Sequence, residues 1–199
     1  MGPRARTAAA LAALAAAAAG GCGGGERQDA DEPAGDYRLE VVEARFPRSQ
    51  TLAEDAVLTI AVRNADAEAV PNVAVTVETV PGRDGSAPVA FGREAGDPAL
   101  ADGARPVWIV DQGPRGGDAA YVNTWALGRL GPGRTARFEW RLTAVRPGRY
   151  TLAYRVAPGL DGSSRLAPGS RGAQGTFTVA IAGAPREVRV GEDGAFVSG

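Results

Sequence analysis

Thr135-Ala136-Arg137-Phe138-Glu139-Trp140-Arg141-Leu142-Thr143-Ala144 alternates without a break: Ala136, Phe138, Trp140, Leu142 and Ala144 fall on one side, Thr135, Arg137, Glu139, Arg141 and Thr143 on the other. Successive side chains of an extended chain point to opposite faces, so this period of two describes a strand with one face buried and one wet. A helix, with its period of 3.6, would mix the two sets.

The alternation recurs in both directions. Beyond the turn Arg146-Pro147-Gly148-Arg149, Tyr150, Leu152, Tyr154 and Val156 face one way and Thr151, Ala153 and Arg155 the other. A last strand sends Phe177, Val179 and Ile181 inward. Upstream, Leu58, Ile60 and Val62 alternate with Thr59, Ala61 and Arg63; Asn64-Ala65-Asp66 makes a turn, and Val73, Val75 and Val77 follow, an arrangement that predicts a hairpin. Tyr37 to Phe46 changes phase between Val41 and Ala44, as a bulge or a change of sheet requires. Gly and Pro recur too often for long helices. The expected fold is therefore all-β: an antiparallel sandwich of seven to nine strands over residues 37–182, with an inserted hairpin and a tail at 183–199. A body of this size buries enough surface to need no disulfide.

Composition narrows the chemistry. The chain has no His and one Cys, and all of its 22 basic residues are Arg. Nucleophile systems that need His have no base, and zinc sites built on His or on several Cys have no ligands. No enzyme activity and no cofactor is expected. A formal net charge of −1 gives no basic stripe for nucleic acid. The all-Arg bias matches the codon usage of a GC-rich genome and is read that way before it is read as recognition.

The first residues have the three-part build of an export signal: Arg4 and Arg6, an apolar run from Thr7 to Ala19, then small residues. Thirteen residues are too few for a membrane-spanning helix, which takes roughly 20. Ala19-Gly20-Gly21-Cys22 resembles the lipobox of bacterial lipoproteins, departing from it at Ala19, where Leu is usual. That resemblance implies a signal peptide over 1–21 and a diacylated Cys22 that holds the protein to the outer side of the cell membrane. Two acyl chains anchor far more firmly than one. Residues 22–36 lack periodicity and apolar side chains and read as a disordered tether. Without residues 1–21 the chain keeps twenty Arg against 23 acids, a net −3, so no basic patch adds to the anchor.

Leu58 to Thr79 resembles the first hairpin of bacterial immunoglobulin-like surface domains of the CARDB and DUF11 kind. The block Gly133 to Val156, with Phe138-Glu139-Trp140 and Pro147-Gly148-Arg149-Tyr150, is similar to their paired final strands. The resemblance implies an adhesive, spacer or ligand-presenting module with no catalytic set, and a single copy argues against a pure spacer. Tyr150, following a Pro-Gly turn at the start of a strand, resembles the tyrosine-corner residue of Greek-key sandwiches, whose hydroxyl bonds back to the main chain.

The segment 81–133 departs from that family. It holds Trp108, Tyr121 and Trp125 among several Asp, and its stretches 105–111 and 121–127 read as an extra hairpin joined through Gly113-Pro114-Arg115-Gly116-Gly117-Asp118. Two readings stay open. Trp108, Asp111, Tyr121 and Trp125 form an exposed platform for an envelope protein or a glycan, or the rings fill the core. Calcium or a small ligand is the alternative partner, although no Asp-x-Asp-x-Asp-Gly loop occurs. Gly162-Ser163-Ser164 reads as a flexible tip.

Overall fold

The computed structural model describes residues 32–82, 85, 87–92, 106–121, 123–184, 188–190 and 196–198. Among them every regular element is a strand. In chain order these are β1 (Gly35–Tyr37), β2 (Leu39–Arg45), β3 (Ser49–Thr51), β4 (Asp55–Asn64), β5 (Ala74–Thr79), β6 (Phe91–Gly92), β7 (Trp108–Gln112) and β8 (Asp118–Tyr121). They continue as β9 (Thr124–Ala126), β10 (Thr135–Ala144), β11 (Gly148–Ala157), β12 (Ser164–Leu166), β13 (Gln174–Ala182), β14 (Val188–Val190) and β15 (Phe196–Ser198). One sheet is ordered β2-β4-β10-β7-β6 and the facing sheet β3-β13-β11-β5-β9-β8. Each has one apolar face, and packing those faces together buries both. The result is the expected immunoglobulin-like sandwich.

On β10 the period of two holds throughout: Phe138, Trp140, Leu142 and Ala144 are buried, while Arg137, Glu139 and Arg141 are exposed. The core is aromatic. Trp125 meets Trp140 edge-on at 5.3 Å between ring centroids, and Phe138 stacks on Trp140 at 5.9 Å. Among the described residues, the buried indole N–H of Trp140 has no hydrogen-bond partner. The phase change in β2 is a bulge between Val41 and Glu43, which leaves Val42 half in solvent; the chain then crosses to the other sheet as β3. Tyr150 Oη donates to Pro147 O at 2.8 Å, so the tyrosine corner is present. Asn64 organises the expected turn: its Nδ2 donates to Glu68 O and Leu130 O, and its Oδ1 accepts from Asp66 N. The carboxyl of Asp66 is held below its ordinary range by the N–H groups of Arg38 and Ala67.

Connectivity differs from the expectation in several places. β4 and β5 do not form a hairpin, and β10 and β11 do not pair; each couple lies in opposite sheets. Both members of each couple carry an apolar face, and facing sheets bury the two against each other where a hairpin would set them side by side. The sheets are not purely antiparallel either, because β3 runs parallel to β13 and β6 parallel to β7.

Segment 105–127 is not one hairpin over one sheet. β7 joins β10, whereas β9 joins β5, and the turn with Gly116 at φ +72° lies between them. Among the described residues of this segment, β8 and β9 are the pair of strands that join each other.

The boundaries also move. Residues 32–36, expected in the tether, belong to the folded body: β1 pairs in parallel with β12, and Ser164 Oγ donates to Pro33 O at 2.9 Å. Ser164 is buried, so the loop at 162–164 is pinned. Glu32 accepts hydrogen bonds from Leu160 N, Asp161 N and Asn72 Nδ2. In the expected tail, β14 and β15 pair antiparallel. Cys22 and the expected signal peptide lie outside the described residues.

Candidate functional site

The structure separates the residues singled out in segment 81–133. Trp108 is fully buried, edge-on to Phe46, Phe91 and Tyr150, and its Nε1 donates to Gln50 Oε1 at 2.7 Å. Trp125 is buried against Phe91 and Trp140. The exposed platform is thus corrected to a core arrangement, because these large apolar rings fill the space between the sheets from both sides. Tyr121 lies on β8, and its side chain falls outside the described residues. Asp111 is exposed on β7 and accepts from Thr143 Oγ1 at 2.7 Å; that hydroxyl lies 3.2 Å from Asp55 Oδ1. Two carboxylates around one hydroxyl fall short of the six to eight oxygens that calcium takes. Among the described residues no three His, Cys, Asp or Glu side chains gather.

A different place has the shape of a site. A groove of about 890 Å³ opens where the end of β2 and the start of β3 pass the first half of β13. Its floor is Phe46, Phe177 and Tyr154, with Phe46 and Phe177 edge-on at 6.1 Å. The Tyr154 ring lies over Gly175, where a Cβ would come within 2.6 Å of it. Burial pushes the Tyr154 hydroxyl above its ordinary range.

The rim is cationic: Arg45, Arg48 and Arg149 line it, and no acidic residue does. Arg45 pairs with Glu43, whose other oxygen accepts from Arg137 at 2.7 Å. The Arg137 bond above all holds the Glu43 carboxyl below its ordinary range. Arg48 and Arg149 make no ion pair among the described residues.

One side of the groove is unpaired backbone. Val156 N donates to Ala173 O, so on β13 the odd-numbered residues turn their main-chain groups toward β11. Those of Thr176, Thr178 and Ala180 turn the other way. Ala180 N finds Arg48 O at 2.8 Å, but β3 is only three residues long and covers just Ala180 to Ala182. Beside Thr176 and Thr178 no described strand lies.

The groove lining is rich in hydrogen-bond donors. Guanidinium groups, hydroxyls and open amides all bind anions or carbonyls, and no nucleophile with an adjacent base lies among the lining residues. Alternation marked Tyr154 and Phe177 as inward-facing and gave no sign that they border an opening. The missing signal is where β3 begins, which depends on the point at which the chain, coming from β2, joins β13 at Arg48 and Ser49.

No family model matches the chain, and no curated protein matches it. Among solved structures, the CARDB domain of a Pyrococcus furiosus protein, crystallised with di-metal ions, aligns at 16% identity over 75% of this chain and 94% of its own, with a TM-score of 0.43. Escherichia coli α2-macroglobulin, from its MG7 domain to the C-terminus, aligns at 12% identity over 80% of this chain and 21% of that one, with a TM-score of 0.43. A Listeria innocua β-glucosidase in complex with glucose aligns at 12% identity over 74% of this chain and 16% of that one, with a TM-score of 0.39.

Proposed function

We propose that this protein is a non-enzymatic interaction module of the bacterial cell envelope, exported and anchored through lipid on Cys22, which engages its partner at the groove beside β13. The observation that carries the binding role is the joining of Arg48 and Arg149, which have no ion-pair partner among the described residues, with an unpaired strand edge in one opening. Scattered surface arginines from codon bias would not concentrate beside open backbone. The anchor rests on the arginines, apolar run and Ala19-Gly20-Gly21-Cys22 of the first residues.

Charge reversal tests the binding role. Full-length Arg48→Glu/Arg149→Glu is expected to lose envelope partners that the unaltered chain retains after cross-linking, and equal recovery by both would overturn the reading. Mass analysis of the mature N-terminus tests the anchor: a diacylated Cys22 is expected, and an unmodified one removes it.

A further inference from the structure

Resting on that reading of the groove, we infer that its occupant is an extended acidic peptide segment of a partner protein, added to the β3-β13-β11-β5-β9-β8 sheet as a new strand beside Thr176 and Thr178.

The lane for such a strand already exists. β3 enters it only at Ser49, beside Ala180, and runs away from Thr178 as far as Ala182. The remaining stretch of β13, Gln174 to Val179, is six residues, roughly 20 Å of strand at 3.4 Å each. Through this stretch the main-chain groups of Thr176 and Thr178 point into the lane. Exposed edges of this kind are templates for another chain, and proteins that do not use them cover them or place an inward-pointing charge there. Among the described residues neither protection is present on this stretch, whose residues are Gln, Gly, Thr, Phe, Thr and Val.

The side chains select the chemistry. An added strand sends alternate residues to opposite faces. One set would meet the apolar floor formed by Phe46 and Phe177, and the other would lie on the outer face. Arg48 stands where the lane meets β3, and Arg149 sits opposite Ala180 on β11. Acidic residues alternating with apolar ones satisfy both requirements. A second copy of this chain is a poorer fit, since the same surface brings three more arginines and no acid. An anionic polysaccharide would use the arginines but leave the Thr176 and Thr178 amides unpaired.

The test uses the full chain and two synthetic decapeptides, one alternating Val and Glu, the other Val and Lys, with dextran sulfate as a non-peptide anion. Titration and amide hydrogen exchange are read together. Expected results are saturable binding of the Val-Glu peptide, at least tenfold slower exchange at the Thr176 and Thr178 amides, and no binding of the Val-Lys peptide. Arg48→Glu/Arg149→Glu should reverse the preference between the peptides. Thr178→Pro removes one edge donor without touching the ladder to β11, since proline is tolerated where the N–H faces solvent. With an unchanged melting temperature it should weaken the Val-Glu peptide at least tenfold. Binding of dextran sulfate alone, equal binding of both peptides, protection elsewhere than β13, or self-association in place of peptide binding would each overturn strand addition. If strand addition fails while the charge-reversed variant still loses its envelope partners, the groove remains the interaction site and only the occupant is wrong; if the partners are retained as well, both readings fall.

Discussion

Trp108 Nε1 and Gln50 Oε1 are joined by a 2.7 Å hydrogen bond that crosses the sandwich, from β7 in one sheet to β3 in the other. Gln50 is in turn held by its Nε2, which donates to Pro47 O at 3.1 Å. The bond therefore fixes where β3 sits, and with it the place where the open lane beside β13 begins.

Trp108→Phe and Trp140→Phe should differ accordingly. Both remove buried area and leave a cavity. Only the first also strands a buried amide oxygen on Gln50, while the second discards an N–H that has no partner. Urea unfolding should show Trp108→Phe less stable than Trp140→Phe by about 1–3 kcal/mol, the cost of leaving a buried polar group unsatisfied.

Glu32 ties the start of the folded body to the loop after β11. Its Oε2 accepts from Leu160 N at 2.6 Å and Asp161 N at 3.2 Å, and its Oε1 from Asn72 Nδ2 at 3.0 Å. Glu32→Ala should cost about 0.5–2 kcal/mol, the range for carboxylates that cap backbone N–H groups. Hydrogen exchange should accelerate at Leu160, Asp161 and along β1 and β12, and leave β10 unchanged.

Tyr150→Phe keeps the ring against Trp108 and deletes only the hydroxyl bond to Pro147 O. A loss of about 0.5–1.5 kcal/mol is expected by chemical denaturation, the usual net value of one such bond.

Tyr154 predicts an alkaline limit. Burial disfavours the phenolate, so the folded protein holds this proton more tightly than the unfolded chain does. The corresponding stability is whole below pH 10.0, the ordinary value, and is lost as pH rises through the higher folded value. Following phenolate absorbance, a component ionising above the ordinary tyrosine range should disappear in Tyr154→Phe, and the alkaline fall in stability should become shallower.

The residues that were easiest to read and the residues that form the groove are nearly disjoint. Phe138, Trp140, Leu142, Leu152 and Val156 announced their burial through local alternation, and Tyr150 announced its corner through the Pro-Gly turn before it. Trp108 and Trp125 were ambiguous, because an aromatic residue suits a core and a binding face equally well and only their neighbours Phe46, Phe91 and Trp140 decide between them. Arg48 and Arg149 carried no signal at all: one lies before a three-residue strand, the other after a turn, and they meet at one opening only once β3 is laid beside β13.

That this chain forms strands, which side of each long strand is buried, and that histidine-based or multi-cysteine chemistry has no residues to use are all legible in the sequence alone. Those are local or compositional properties, set by two-residue periodicity and by which side chains exist. Which strands share a sheet, the parting of β4 from β5, and the open edge of β13 beside Arg48 and Arg149 emerge only once the chain is folded. Strand pairing is made by main-chain hydrogen bonds that are alike for every residue except proline, so the choice of neighbour leaves little mark on the sequence and is settled by how the two apolar faces close on one core.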